Sequence, residues 1–514
     1  MKEKNYGWLI LLLAAILLIP GLGNTTLWIY DEVRNAECAR EMYERSDWIV
    51  PTFNGKLRAV KPPLHYYFMF GGYSLFGVSE WGARFFSAVF GILTVIITYF
   101  FTARFSNRRQ ALITSLILLS STHYLFQFRL AVPDPYLIFF NVLALFSGYA
   151  FLREGKSGWI YLCAMALGLG TLAKGPIAIA LPGMGLFFWI VWQREWKKLL
   201  DLRIIWAGIL CLAIAVPWYL LVHKATDGAF TRGFFIDNNI NRFSSTLEGH
   251  GGIFLLIPLF IFLGMLPASV FSLEAFRKGN QLYTDSFLRF ALTAFGAYLI
   301  FYSFSGTKLP NYPFPSYPFL AILLGNYFNK ALDKGGMRWY PLLLLLVITI
   351  ALTIGAYYGI QSESATRSEA SLSTFAILLV IGAGLALYFA IKKKASLVLG
   401  SLFIFYMVFH LFFLHLLYPR LYHNNPLNQT IETVKQYDTV VGYKNFQPSY
   451  TFYLPNRIHE FDHADSLQQF IKDKRVIVIT RTEHLKDLEK IPLKELARHH
   501  DIFELPTTVV LGKE

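Results

Sequence analysis

Charge is scarce in this chain, and so is cysteine. Only 16% of the 514 residues are Asp, Glu, Lys or Arg, against about 25% in a soluble globular protein. The three cysteines, Cys38, Cys163 and Cys211, lie far apart with no CxxC spacing, which excludes a disulfide framework and a cysteine-based zinc site. Also missing are a Gly-rich phosphate loop, internal repeats and low-complexity tracts. Histidines 123, 223 and 250 stand without ligand spacing, so they point to no metal centre.

What fills the chain instead is apolar. Hydrophobic residues make up 55% and aromatic residues 17%, and the mean hydropathy is +0.43, values that mark a polytopic membrane protein. Hydrophobic runs near 7–23, 82–103, 110–127, 135–152, 158–173, 177–192, 204–222, 252–273, 287–304, 316–331, 339–359, 372–391 and 396–418 predict about 13 transmembrane helices. The first run follows Lys2 and Lys4 and is read as a retained span rather than a cleavable signal. The net charge of +14 does not indicate nucleic acid, because the basic residues sit in short clusters between apolar runs. Those clusters, such as Arg104/Arg108/Arg109 and Lys392/Lys393/Lys394, fall on alternate loops and mark the cytoplasmic side. The opposite loops, including 24–81, 128–134, 223–251 and 305–315, are then external, as is everything after Tyr418. Residues 1–418 are expected to form the membrane domain. Residues 419–514 change to a soluble composition and predict a small extracytoplasmic α/β domain, with strands at 439–443 and 475–480 and helices at 465–472 and 482–490.

The external loops are where polar residues crowd. The stretch YDEVRNAECAREMYERSDWIVPTFNGKLRAVKPPL, residues 30–64, carries charges of both signs directly after the first span, and ionisable groups at a membrane face are a functional-site signal. Interfacial helices are expected around Asp47–Pro51 and over 64–77. In Val132-Pro133-Asp134-Pro135 the prolines set Asp134 at the mouth of a helix, where it either caps that helix or serves the site. Two further patches are 234–243 and 305–315. Together they offer Asp31, with Asp134 as a second carboxylate, for deprotonating a hydroxyl, and Arg34, Lys61, Arg242 and Lys308 for holding an anion. A basic cluster at headgroup level beside a carboxylate suits a polyprenyl phosphate-linked sugar, whose departing phosphate the cations neutralise.

The motifs DEVRNAE, REM, DWIVPTFNG, KPPL, LAKGP, NRF and TKLPNYPFPSYP resemble those of the bacterial 4-amino-4-deoxy-L-arabinose transferases that modify lipid A. The wider relatives are the protein O-mannosyltransferases, both integral-membrane glycosyltransferases of GT-C type. The resemblance implies Asp31 as the catalytic carboxylate with Asp134 assisting, and Arg34, Lys61, Arg242 and Tyr312 as contacts of the carrier phosphate. It implies an inverting transfer of a pentose or hexose to lipid A, another glycan or a protein hydroxyl, outside the bacterial inner membrane. In the lipid A enzymes a glutamate precedes the KPP lysine and a histidine lies in the later patch, both implied metal ligands; here they are Val60 and Asn239, so no cofactor is expected and the same sugar and acceptor are put in doubt. Glu32 and Glu37 are expected in salt bridges within the loop, Arg40 and Arg58 at the surface or on headgroups, and Lys174 snorkelling. The competing function is a transporter or flippase of lipid-linked glycans.

Overall fold

The computed structural model describes residues 5–240, 252–277 and 284–513, with the side chains of 239 and 240 left out. It is mostly helical. Among the described residues, seven helices are long and apolar enough to cross a membrane: Glu80–Phe105, Asp134–Glu154, Leu202–Ala225, Ser286–Phe304, Tyr340–Ser362, Arg367–Ile391 and Ala395–His423. An eighth crossing is available if Leu256–Gly264 and Ala268–Arg277, bent by 118°, are one span. The other apolar runs form shorter pieces. The run 7–23 is helical only over Gly7–Leu18 (α1), and 110–127 breaks between Arg108–Leu119 and Thr122–Gln127, where Ser120 turns its hydroxyl back to the Ile117 carbonyl.

Burial separates the helices by role. Asp134–Glu154 is 94% buried along its apolar window and forms the centre of the bundle, whereas Leu202–Ala225 and Tyr340–Ser362 are only 22% and 17% buried. Their outward Leu, Ile and Val side chains would be costly in water, so these faces belong against lipid. Polar caps and glycine set the helix ends. Asn107 accepts from the Gln110 amide, Asp285 from Phe287 and Leu288, and Gly155 closes Asp134–Glu154 at φ +70°.

Residues 30–64 are not a plain loop. Tyr30–Glu44 is a helix (α2), Leu64–Phe76 another (α3), and Glu80–Phe105 (α4) runs back against it. A methyl group at Gly72 would fall 2.0 Å from the Gly82 carbonyl oxygen, so α3 and α4 cross there backbone to backbone. The interfacial helix expected at Asp47–Pro51 is absent. Asp47 instead accepts from the Ile49 and Val50 amides, and Pro51 leads into a two-stranded hairpin, Thr52–Phe53 (β1) with Lys56–Leu57 (β2). Its turn is Asn54-Gly55, both at positive φ, the pair such a tight hairpin favours.

After the last span, residues 439–513 carry a five-stranded sheet: Thr439–Tyr443 (β3), His459–Phe461 (β4), Val476–Arg481 (β5), Lys494–His500 (β6) and Thr507–Lys513 (β7) in the order β4-β3-β5-β7-β6. β3 pairs parallel with β4 and β5, while β7 is antiparallel to β5 and β6. VIVITR of β5 is buried throughout and central. KELARHH of β6, largely exposed, is the charged edge that discourages further strand pairing.

Candidate active site

Helix α2 presents its charged residues to two different environments. Glu32 turns inward, is 1% exposed and grips Arg84 of α4 at 2.7 and 2.8 Å, while also accepting from the Ala131 amide. Its partner therefore lies outside the 30–64 stretch. Glu37 pairs with Arg40 at 2.7 Å; burial pushes its carboxyl up to about 7 despite that guanidinium. Arg40, expected at the surface, is largely buried and donates to the carbonyls of Thr451, Phe452 and Leu454. These bonds fasten α2 to the segment below the sheet.

Asp31 turns the other way. Its carboxylate is 61% exposed and faces a cleft of about 1000 Å³, which Arg34, Arg58, Lys61, Val60 and Asn238 also line. Arg58, expected at the surface like Arg40, is buried instead. It is 8% exposed, held by the Asn35 Oδ1 at 2.7 Å and the Tyr66 hydroxyl at 3.2 Å, and its Nη2 lies 4.0 Å from Asp31 Oδ1. Asn35 is shared with His65, whose buried ring is kept neutral by desolvation and then by the nearby Arg58 and Lys61 charges. A fixed guanidinium thus sits behind an accessible carboxylate, and Lys61 and Arg34 line the same cleft.

The C-terminal sheet closes the cleft. Lys444, Asn445, Phe446, Pro448, Glu460 and Glu504 form that wall, a contribution with no catalytic motif to announce it. Asn54 of the hairpin exchanges two hydrogen bonds with Ile458, at 2.8 and 3.0 Å, and Lys56 pairs with Glu460. Deeper in, the buried Arg481–Asp501 pair reaches Tyr30, whose hydroxyl accepts from Arg481 Nη2 at 2.5 Å. Arg34 lies over the Tyr30 ring, 5.4 Å from its centre, so an ion pair in the sheet fixes the surface that orients a cleft cation. The signal for this docking was present in the Asn54-Gly55 turn; nothing in the sequence named its partner.

Asp134 belongs to a second cluster. It is the first residue of its helix, with Pro133 in the capping position. Its side chain is 8% exposed, and Oδ1 accepts from Lys174 Nζ at 2.7 Å and Asn311 Nδ2 at 2.8 Å. Lys174, expected to snorkel, instead lies 5.2 Å from the centre of the Tyr312 ring. Asp134, Lys174, Asn311 and Tyr312 therefore form one group, in which Asp134 is buried and the other three are half-buried, distinct from the residues that line the Asp31 cleft. Lys308 turns its ammonium to the Ser305 carbonyl at 2.5 Å, and its neighbour Leu309 lines the cleft. Arg242 lies outside the described residues. Val60 brings no donor atom to the cleft, and among the described residues no three His, Cys, Asp or Glu side chains stand together to hold a metal ion.

Comparison with known proteins decides the family. Residues 7–226 match the family described as dolichyl-phosphate-mannose-protein mannosyltransferase. The undecaprenyl phosphate-α-4-amino-4-deoxy-L-arabinose arabinosyl transferase of Pseudomonas aeruginosa is 31% identical over 393 residues, covering 74% of this chain and 70% of that protein. The chain belongs to this arabinosyl transferase family. An uncharacterized protein of Aquifex aeolicus is 32% identical over 349 residues, covering 68% of this chain and 79% of its own length. The crystal structure of ArnT from Cupriavidus metallidurans bound to undecaprenyl phosphate superimposes with a TM-score of 0.82 at 22% identity, covering 99% and 98% of the two chains. The family is one of GT-C membrane glycosyltransferases, and the fold described above is theirs over almost the full chain.

Proposed function

We propose that this chain takes a pentosyl or hexosyl group from a polyprenyl-phosphate carrier and attaches it, with inversion, to an acceptor hydroxyl or phosphate outside the inner membrane. The observation that carries the reading is the accessible Asp31 carboxylate in a roomy cleft shared with Arg34 and Lys61. The carrier of the ArnT structure, undecaprenyl phosphate, has the phosphate those cations suit. Asp31 accepts the proton as the acceptor oxygen attacks the anomeric carbon on the face opposite the leaving group. The bond from that carbon to the carrier phosphate breaks, and Arg34 and Lys61, with Arg242 and Lys308 as further cations, balance the charge left on the phosphate. Asp134 works at one remove, by fixing Lys174 beside Tyr312. The acceptor is lipid A, another glycan or a protein hydroxyl. Val60 offers no ligand where the family expects one, so the chemistry is assigned to the charged side chains alone.

On this reading residues 1–418 cross the membrane about 13 times, the shorter helices completing crossings that the seven long ones begin, and 419–514 form an α/β domain over the periplasmic face. A flippase would need its polar residues spread towards mid-bilayer, whereas the Asp31 cleft gathers them under the sheet. The test is reconstitution of the purified chain in proteoliposomes loaded with a polyprenyl-phosphate sugar. Release of free carrier phosphate together with a glycosylated acceptor is expected. Carrier translocation with no glycosidic product overturns the proposal. Mass spectrometry of glycolipids and glycoproteins from cells with and without the chain then names the sugar and the acceptor from a single mass difference.

A further inference from the structure

We propose that the turn 501–506, joining β6 to β7, is a lipid-contacting tip that sets Phe503 and Leu505 into the bilayer surface beside the cleft. Leu505 is 97% exposed and Phe503 55% exposed. Single exposed apolar residues are ordinary; these two stand on one short turn. Phe503 also adopts φ +57°, a conformation that bulky residues rarely take. The turn is firmly built. The Asp501 amide donates to the Pro506 carbonyl at 3.0 Å, and the Glu504 amide to the Asp501 carbonyl at 3.1 Å. At its root Asp501 is fully buried against Arg481 and Thr508.

Its place in the fold selects the partner. His500, one residue before the turn, has Nε2 3.6 Å from Glu363 Oε2. Glu363 is the residue that ends Tyr340–Ser362, a membrane-length helix only 17% buried in protein. The turn therefore lies where a lipid-facing helix leaves the bilayer. Glu504 lines the cleft, while its two apolar neighbours are exposed. One phenylalanine and one leucine cover too little area for a stable protein interface, which needs about 1,000 Å² or more. They are enough to seat a turn at the boundary of headgroups and acyl chains, as interfacial anchors do. The cleft wall would then be braced by the membrane as well as by α2.

The test uses the full chain in nanodiscs of phosphatidylethanolamine and phosphatidylglycerol. Its native cysteines are all buried, so nitroxide labels can be placed selectively at Leu505→Cys and Phe503→Cys. Power-saturation measurements then compare accessibility to oxygen with accessibility to a water-soluble nickel chelate. Both labels are expected to favour oxygen, like a label at the lipid-facing Ile354→Cys, and unlike one at Lys486→Cys on the exposed side of the sheet segment. Nickel accessibility matching Lys486→Cys would place the tip in water and overturn the proposal. Protection from both reagents would mean a protein contact and overturn it equally.

Discussion

Asp31 and Asp134 are the same side chain set in opposite surroundings. Asp31 is 61% exposed, opens into a wide cleft and has its guanidinium neighbour at 4.0 Å. Asp134 is 8% exposed and spends one oxygen on both Lys174 and Asn311. A carboxylate left accessible beside fixed cations can take a proton from an incoming hydroxyl; one already satisfied in a buried pair holds its neighbours in place. The difference teaches that residue type and loop position nominated both aspartates, and that burial assigns them different work.

Breaking the buried side should cost the fold most. Asp134→Ala strands the Lys174 ammonium and is expected to destabilise the chain by about 3–5 kcal/mol, with Asp134→Asn/Lys174→Met recovering most of it. The same change to alanine at Asp31 should move thermal stability by no more than about 0.5 kcal/mol, and equal losses at the two sites would erase the distinction. Glu37 sharpens the contrast between buried and open carboxylates along the same helix. Burial raises its pKa from 4.5 to about 7, so between those values the folded chain binds more protons than the unfolded one. Stability should therefore fall by about 3 kcal/mol as pH rises from about 4.5 to 7. Glu37→Gln should flatten that part of the curve of melting temperature against pH. In the cleft, Lys61→Ala should lower kcat/KM for the polyprenyl-phosphate sugar about tenfold, or about 1.4 kcal/mol. Smallest of all, Lys56→Ala removes an ion pair whose lysine is 71% exposed, and denaturation should shift by less than about 0.5 kcal/mol.

Much of the membrane part was legible because hydrophobic length obeys a simple rule. Glu80–Phe105, Asp134–Glu154, Tyr340–Ser362 and Ala395–His423 begin or end within a few residues of the runs that predicted them. Short pieces were less legible, since an apolar run does not reveal a break such as that at Ser120-Ser121. In the C-terminal segment β3 and β5 stood out as dense β-branched runs. β4, β6 and β7 did not: β4 is three residues long, β6 is a charged edge, and β7 ends at a Gly-Lys that reads as coil. Within the site, Asp31, Arg34 and Lys61 were nominated by the sequence and do share one cleft. Arg58 and Arg40 were read as surface residues because arginine usually is one; their burial depends on Asn35, Tyr66 and the 451–454 carbonyls, which come together only in three dimensions. The same holds for the sheet's wall of the cleft, supplied from more than 400 residues beyond Asp31 along the chain.

The most direct measurement is the transfer rate of Asp31→Asn protein in proteoliposomes, taken together with its melting temperature. The account predicts an unchanged melting temperature and a rate lower by about 10²–10⁴-fold, the contribution of a general base. A correctly inserted Asp31→Asn protein that transfers sugar at the wild-type rate would contradict it.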